Sequence, residues 1–185
     1  MQRRLIILAV LAIAFIGPAC KPKSKDELSK NIQAVVEVEG RGKMRIQLFP
    51  EQAPRAVKQF VKLSKETFYN NRQVWRVGQM GEGKEFVMTG CPKNNGNGYY
   101  TIKGKGYFIR EDIDSTLHHE RGTVSMINFG KPQTTSSQFI ICRGQIPEFD
   151  GKYSIIGKVT DGLNVLDSLE KGDNILSVTI EEGAE

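Results

Sequence analysis

The sequence is poor in the residues that most often carry metal binding or covalent catalysis. Its 185 residues include three cysteines, two histidines and one tryptophan. His118 and His119 are neighbours in an extended stretch, where adjacent side chains point to opposite faces, so they cannot form a helical i, i+4 metal pair. Cys91 and Cys142 lack metal-site spacing. An exported chain could pair them, but two buried free thiols is the simpler expectation. No G-x-S-x-G is present and no cysteine has an obvious activating histidine, which leaves a covalent hydrolase without support. The three G-x-G triplets, at Gly81, Gly96 and Gly104, do not sit between a strand and a helix start. None is followed by Lys-Ser or Lys-Thr, so they suit turns rather than phosphates. No cofactor and no metal are expected. A dominant charge of one sign is missing too: 26 basic residues against 21 acidic give +5, with the cations scattered, which argues against nucleic acid. No apolar run reaches the roughly 20 residues that a membrane-spanning helix needs.

What is present begins with an export-like leader. Arg3 and Arg4 are followed by the apolar run Leu5–Ile16, then by Gly17-Pro18-Ala19 and Cys20. This order of positive, apolar and small residues marks residues 1–19 as a signal peptide. A cysteine directly after the small residues resembles the lipobox of bacterial lipoproteins, although Gly17 and Pro18 are unusual there. Cys20 is therefore the expected lipidation site, and residues 20–31 a solvated tether to a membrane. Localisation is expected to be the periplasm or a membrane-anchored cell envelope. Without residues 1–19 the balance is 24 against 21, or +3, because Arg3 and Arg4 leave and no acid does.

From residue 32 the chain reads as mainly β with two helices. Ile32, Ala34, Val36 and Val38 alternate with polar residues, Gly40-Arg41-Gly42 turns the chain, and Met44, Ile46 and Leu48 alternate again, predicting a hairpin over 32–49. Ala53, Ala56, Val57, Phe60 and Val61 then recur at helical spacing, with Pro54 suited to a first turn, predicting a helix over 53–65. Further strands are predicted at Gln73–Val77, Glu85–Thr89, Thr123–Asn128, Ser137–Cys142, Tyr153–Thr160 and Ile175–Ile180, with a short helix at Gly162–Lys171. About eight short strands and two helices suggest a closed antiparallel barrel capped by helices.

Five segments carry the functional signal: Trp75-Arg76-Val77, residues 85–90 (EFVMTG), residues 122–128 (GTVSMIN), residues 137–142 (SQFIIC) and residues 149–152 (FDGK). Each has a dull explanation when taken alone, as an exposed strand arginine, a core phenylalanine or an edge glutamine. In this order and spacing, together with Leu48-Phe49 before Ala53-Pro54, they resemble the cyclophilin family of peptidyl-prolyl cis-trans isomerases. The resemblance covers about residues 32–183. It implies an eight-stranded barrel and rotation of X-Pro peptide bonds in exported proteins, assisting their folding. The partners it implies are proline-containing peptide segments, met by a monomer.

By that resemblance Arg76 is the catalytic residue. Phe86, Val87, Thr89, Asn128, Gln138, Ile140, Phe149 and Tyr153 would bind the substrate. The sequence also departs from the family's pattern. Trp75 replaces a histidine, Thr89 a glutamine that orients the arginine, and Ile140 a pocket phenylalanine. Glu148 replaces a tryptophan or other aromatic, and Tyr153 a histidine. Ile127 and Phe129 stand where small alanines line the groove, and the loop over 78–84 is longer than usual. Cyclosporin, a ligand of many members, contacts the missing tryptophan, so weak or no binding is expected. The altered groove leaves a second reading, a non-catalytic proline-peptide-binding module or chaperone of the cell envelope.

Overall fold

A computed structural model describes residues 28–183. The leader, Cys20 and most of the tether lie outside the described residues. The chain forms β1 (Ile32–Val38), β2 (Gly42–Leu48), α1 (Pro54–Lys65), β3 (Arg72–Gln73), β4 (Arg76–Gln79) and β5 (Glu85–Thr89). It continues through β6 (Thr101–Ile102), β7 (Lys105–Gly106), β8 (Thr123–Met126) and β9 (Phe139–Cys142). A single 3-10 turn (Pro147–Phe149), β10 (Ser154–Asp161), α2 (Leu163–Ser168) and β11 (Asn174–Glu182) complete it.

Nine strands share one curled antiparallel sheet in the order β3-β11-β1-β2-β10-β8-β9-β5-β4. The two edge strands, β3 and β4, are consecutive in the chain and only Val74-Trp75 separates them. Val74 N–H donates to Asp173 O on the β11 side at 2.8 Å, and Trp75 N–H donates to Met88 O on the β5 side at 3.1 Å. One bent segment therefore pairs with both ends of the sheet and closes it. The sequence predicts this segment as one strand; the bend is needed because its two halves serve different neighbours. Counted as one, it brings the sheet to the expected eight strands. The short β6-β7 hairpin turns at Lys103-Gly104, where the Gly104 triplet is expected to suit a turn.

The interior is filled by the inward side chains of the strands and capped by α1. Phe139 meets Phe60 edge-on at 5.4 Å and Tyr69 at 5.3 Å, a preferred aromatic geometry. The Tyr69 hydroxyl, fully buried, donates to Ser137 O at 3.1 Å. Pro54 opens α1 as predicted, but Ala53 provides no side-chain cap. Asp112 does so from a distant loop: its carboxylate accepts from Arg55 N at 2.8 Å and Ala56 N at 2.9 Å. These donors would otherwise be orphaned at a helix start. Helix α2 is shorter than predicted. Arg143 donates through Nε to Leu166 O at 3.0 Å and through its terminal nitrogen to Leu169 O, so the carbonyls at the helix end are met by a side chain instead of a further turn. Cys91 and Cys142 are both buried and unpaired, and burial pushes the Cys142 thiol up to about 12.

Candidate active site

Strands β4, β5, β9 and β8 lie side by side, and their register decides which residues can meet. Arg76 pairs with Met88, Met88 with Ile140, and Ile140 with Ser125. One step along, Gly78 pairs with Phe86 and Phe86 with Cys142. Directly paired residues share a face, so these two rows form the outer face of the sheet. There Phe86, Met88, Ile127, Ile140, Cys142, Ile146 and Phe149 make an apolar cluster separate from the interior, with Trp75 and Tyr153 packed at its margins. The alternation of β5 sends Val87 inward to the main core, fully buried. Thr89 is also buried; its hydroxyl donates to Gln73 O at 3.0 Å and is occupied there. Val87 and Thr89 therefore do not share the face of Phe86. Met88 does, and strand alternation from Phe86 is the signal that identifies it.

Arg76 is exposed at the rim, and its guanidinium carbon lies 5.7 Å from the centre of the Phe86 ring. A cation–π contact at a surface contributes about 0.5–1 kcal/mol. It gives Arg76 an orienting partner in place of the family's glutamine. Phe86 can lie there because residue 78 is glycine: a Cβ on Gly78 would sit 2.3 Å from the Phe86 ring. Phe86 also meets Phe149 at 5.4 Å, and Phe149 meets Tyr153 at 5.2 Å, so three rings form one continuous wall.

Gln138 is buried, and its side-chain nitrogen donates to Gly96 O at 2.8 Å and Gly98 O at 2.7 Å. Both amide hydrogens are thereby used, which leaves the carbonyl end as the free acceptor. The loop that fixes Gln138 is itself held by Trp75, whose ring is so close to Gly96 that a Cβ there would approach to 2.8 Å. Asn128 uses its side chain locally, donating to Glu111 and to Lys152 O at 3.3 Å each and accepting from Gly130 N at 3.1 Å. No backbone bond pairs its own N–H or C=O with another described residue.

Beneath Phe149 and Tyr153 lies a Ser125–His119–Asp150 chain. Asp150 accepts from His119 Nδ1 at 2.7 Å, and the Ser125 hydroxyl stands 2.8 Å from His119 Nε2. Burial lowers the imidazole pKa and outweighs the raising effect of Asp150. Burial pushes the Asp150 carboxyl up, but bonds from His119 and His118 hold it below its ordinary value. A neutral ring thus donates to an ionised Asp150 and accepts from Ser125. Ser125 is fully buried, so this chain is a support for the aromatic wall and not a nucleophile. Glu148 and Phe129 also meet neighbours. Glu148 is met by Lys84 at 2.5 Å, whose hydrogen bond holds the carboxyl below its ordinary value. Lys84 comes from the long 80–84 turn, which packs against Gly144 so closely that a Cβ on Gly144 would collide with Gly83 O. The turn therefore lies beside the Phe149 end of the groove. Phe129 stays out of the apolar cluster, 38% exposed, and meets Tyr99 at 6.0 Å and Phe108 at 6.3 Å.

The family model for cyclophilin type peptidyl-prolyl cis-trans isomerase/CLD matches residues 34–182. A peptidyl-prolyl cis-trans isomerase of Helicobacter pylori is 36% identical over 159 residues, covering 83% of this chain and 90% of the relative. One from Synechococcus elongatus is 40% identical over 152 residues, covering 80% and 95%. The crystal structure of a Cryptosporidium parvum cyclophilin type peptidyl-prolyl cis-trans isomerase, determined in the presence of the dipeptide Ala-Pro, superposes with a TM-score of 0.70 at 28% identity, covering 82% of this chain and 99% of that one. Agreement of sequence and fold from β1 into β11 shows the family directly: the chain belongs to the cyclophilin-type peptidyl-prolyl cis-trans isomerases, and it is an enzyme of that class.

Proposed function

We propose that the outer apolar cluster receives the proline ring of an extended peptide and that Arg76 promotes rotation of the preceding bond. The observation that carries this reading is the placement of Arg76 over Phe86, at the rim of the cluster, with no ion pair to any described residue. An X-Pro bond resists rotation by roughly 18–20 kcal/mol because its C–N bond has double-bond character. Twisting the amide frees a lone pair on nitrogen, and a guanidinium that stays charged can donate to it. Phe86, Met88 and Phe149 hold the ring, backed by Ile140, which is fully buried beneath them. The Gln138 carbonyl and the backbone of Asn128 hold the flanking chain, leaving the carbonyl before proline free to swing. An acceleration of 10⁴ requires about 5.4 kcal/mol, while one charged hydrogen bond contributes about 1.5–3 kcal/mol. The remainder comes from the pocket and from fixing the peptide on both sides of the bond.

In this reading the enzyme acts outside the cytoplasm, on proline-containing segments of exported proteins whose folding it assists. The order of residues 1–20 supports that placement. Mass spectrometry of the native N-terminus is expected to find a diacylglyceryl group on Cys20; an unmodified N-terminus there would remove the anchor. For the chemistry, NMR exchange on X-Pro peptides is expected to show faster cis–trans exchange with the wild type and about 10- to 100-fold less with Arg76→Ala. Binding without enhanced exchange in the wild type would turn the groove into a passive binding site.

A further inference from the structure

The cavity beside the groove is cationic, and the isomerase reading makes no use of its charge. It encloses about 660 Å³ and shares Asn128 and Tyr153 with the groove. Arg55, Arg110, Lys131 and Lys152 line it, against one acid, Glu111. Arg55 is committed to Asp112, Nε to Oδ1 at 2.7 Å. Arg110, Lys131 and Lys152 are exposed, and among the described residues none of them forms an ion pair. Lys152 acts on Glu148 only across a distance.

Glu111 does not neutralise these cations by contact, because its carboxylate is engaged elsewhere. It accepts from Gln133 N at 2.8 Å, the Thr135 hydroxyl at 3.1 Å and Asn128 Nδ2 at 3.3 Å. These bonds fasten the 128–135 loop, which is braced again by Thr134: its hydroxyl accepts from Phe129 N at 2.9 Å and donates to Lys131 O at 2.5 Å. Lys131 is therefore carried by a loop of fixed shape. Three unpaired like charges around one preformed cavity repel each other, and an entering anion relieves that repulsion. Asn128 joins the cavity to the groove, so the anion within reach belongs to the peptide already seated there.

We propose that this cavity is an extension of the peptide site that takes an Asp or Glu side chain flanking the proline, so that the enzyme prefers X-Pro segments with a nearby carboxylate. The proposal rests on the groove reading above. Its strength is bounded by solvent: exposed pairs are individually weak, and screening acts over about 8 Å at physiological salt. A preference of about tenfold at low ionic strength is the expected size.

The test uses two sets of peptides with the same X-Pro core, flanked by Asp and Glu or by Asn and Gln, with the flank before or after the proline. Affinity is measured by calorimetry and exchange by NMR, at low and high sodium chloride. The wild type is expected to favour one acidic peptide about tenfold, with the advantage shrinking as salt rises. Arg110→Gln, Lys131→Gln and Lys152→Gln together should abolish the advantage and leave the neutral peptides and the thermal midpoint unchanged. Equal affinity for acidic and neutral peptides in the wild type, or a preference that survives the triple substitution, overturns the proposal. Absence of binding and exchange with every peptide overturns the groove reading, and this extension with it.

Discussion

Along β5, neighbouring residues belong to two different environments. Val87 and Thr89 face a closed interior in which strand alternation, α1 and three edge-packed aromatics fill the space. Phe86 and Met88 belong to a second buried apolar cluster on the outer face, with the exposed Arg76 at its rim. Most departures from the family's pattern fall on the outer side: Trp75, Ile127, Phe129, Ile140, Glu148 and Tyr153. Four of them pack against or pair with a local neighbour, although Trp75 Nε1 and Glu148 Oε2 stay buried without a hydrogen-bond partner. Trp75 braces the loop holding Gln138, Lys84 meets Glu148, Tyr153 joins the ring wall, and Phe129 stacks away from the cluster. Thr89, which stands in place of the orienting glutamine, is turned inward, and Phe86 is the group that meets Arg76. The interior admits few such exchanges, because every atom there has a packed neighbour. The groove admits them because a rim residue needs only one.

If this contrast holds, inner-face changes unfold the protein and outer-face changes disable it. The largest effect expected is from Phe139→Ala, which removes a ring from the aromatic core and should cost about 3–5 kcal/mol of stability in urea denaturation. Arg76→Ala should change that stability by no more than about 1 kcal/mol, the size of its contact with Phe86, while lowering exchange as above. A comparable loss of stability in Arg76→Ala would erase the distinction between the faces. Next is Asp112→Ala, which removes the remote cap of α1 and should cost about 2 kcal/mol. A loss no larger than that of an ordinary surface substitution would mean that α1 does not depend on it.

The support under the groove should show itself in acid. The folded state keeps His119 neutral, so as pH falls through about 6.5 the unfolded chain takes up the proton first and stability declines. Asp150, held below its ordinary value in the folded state, adds a second loss as pH falls through its folded value. Stability measured by urea denaturation should therefore drop between pH 7.5 and 5 through His119, by at most about 1.4 kcal/mol per pH unit, with the Asp150 loss following only at more acidic pH. His119→Asn should flatten the upper part of that slope; stability rising in acid would contradict the assignment. The smallest effect is at the groove's outer edge. Lys84→Ala should leave stability within the range of an ordinary surface substitution, since the pair with Glu148 is partly exposed. Cyclosporin should bind weakly or not at all, because the Glu148 carboxylate stays charged where an aromatic ring is usual. Submicromolar affinity in calorimetry would show that the charge is tolerated.

The sequence by itself determined the periodic parts of the molecule. Alternation over 32–48 and helical spacing over 53–65 identify β1, β2 and α1 because local geometry sets which side chains share a face. The order of Arg76, Phe86 and Gln138 likewise identifies the family. What only the tertiary structure decided depends on contacts between distant residues. Asp112 caps a helix that begins at Pro54. The bend at Val74-Trp75 splits one predicted strand between two neighbours and closes the barrel. Register across β4, β5 and β9 puts Met88 in the groove and Val87 in the core, although both follow Phe86 in the same short run. Arg110, Lys131 and Lys152 look like scattered surface charge in the sequence and converge on one cavity in the fold. Periodicity reports which way a side chain points along its own element, but pairing between elements is set by the closed sheet as a whole.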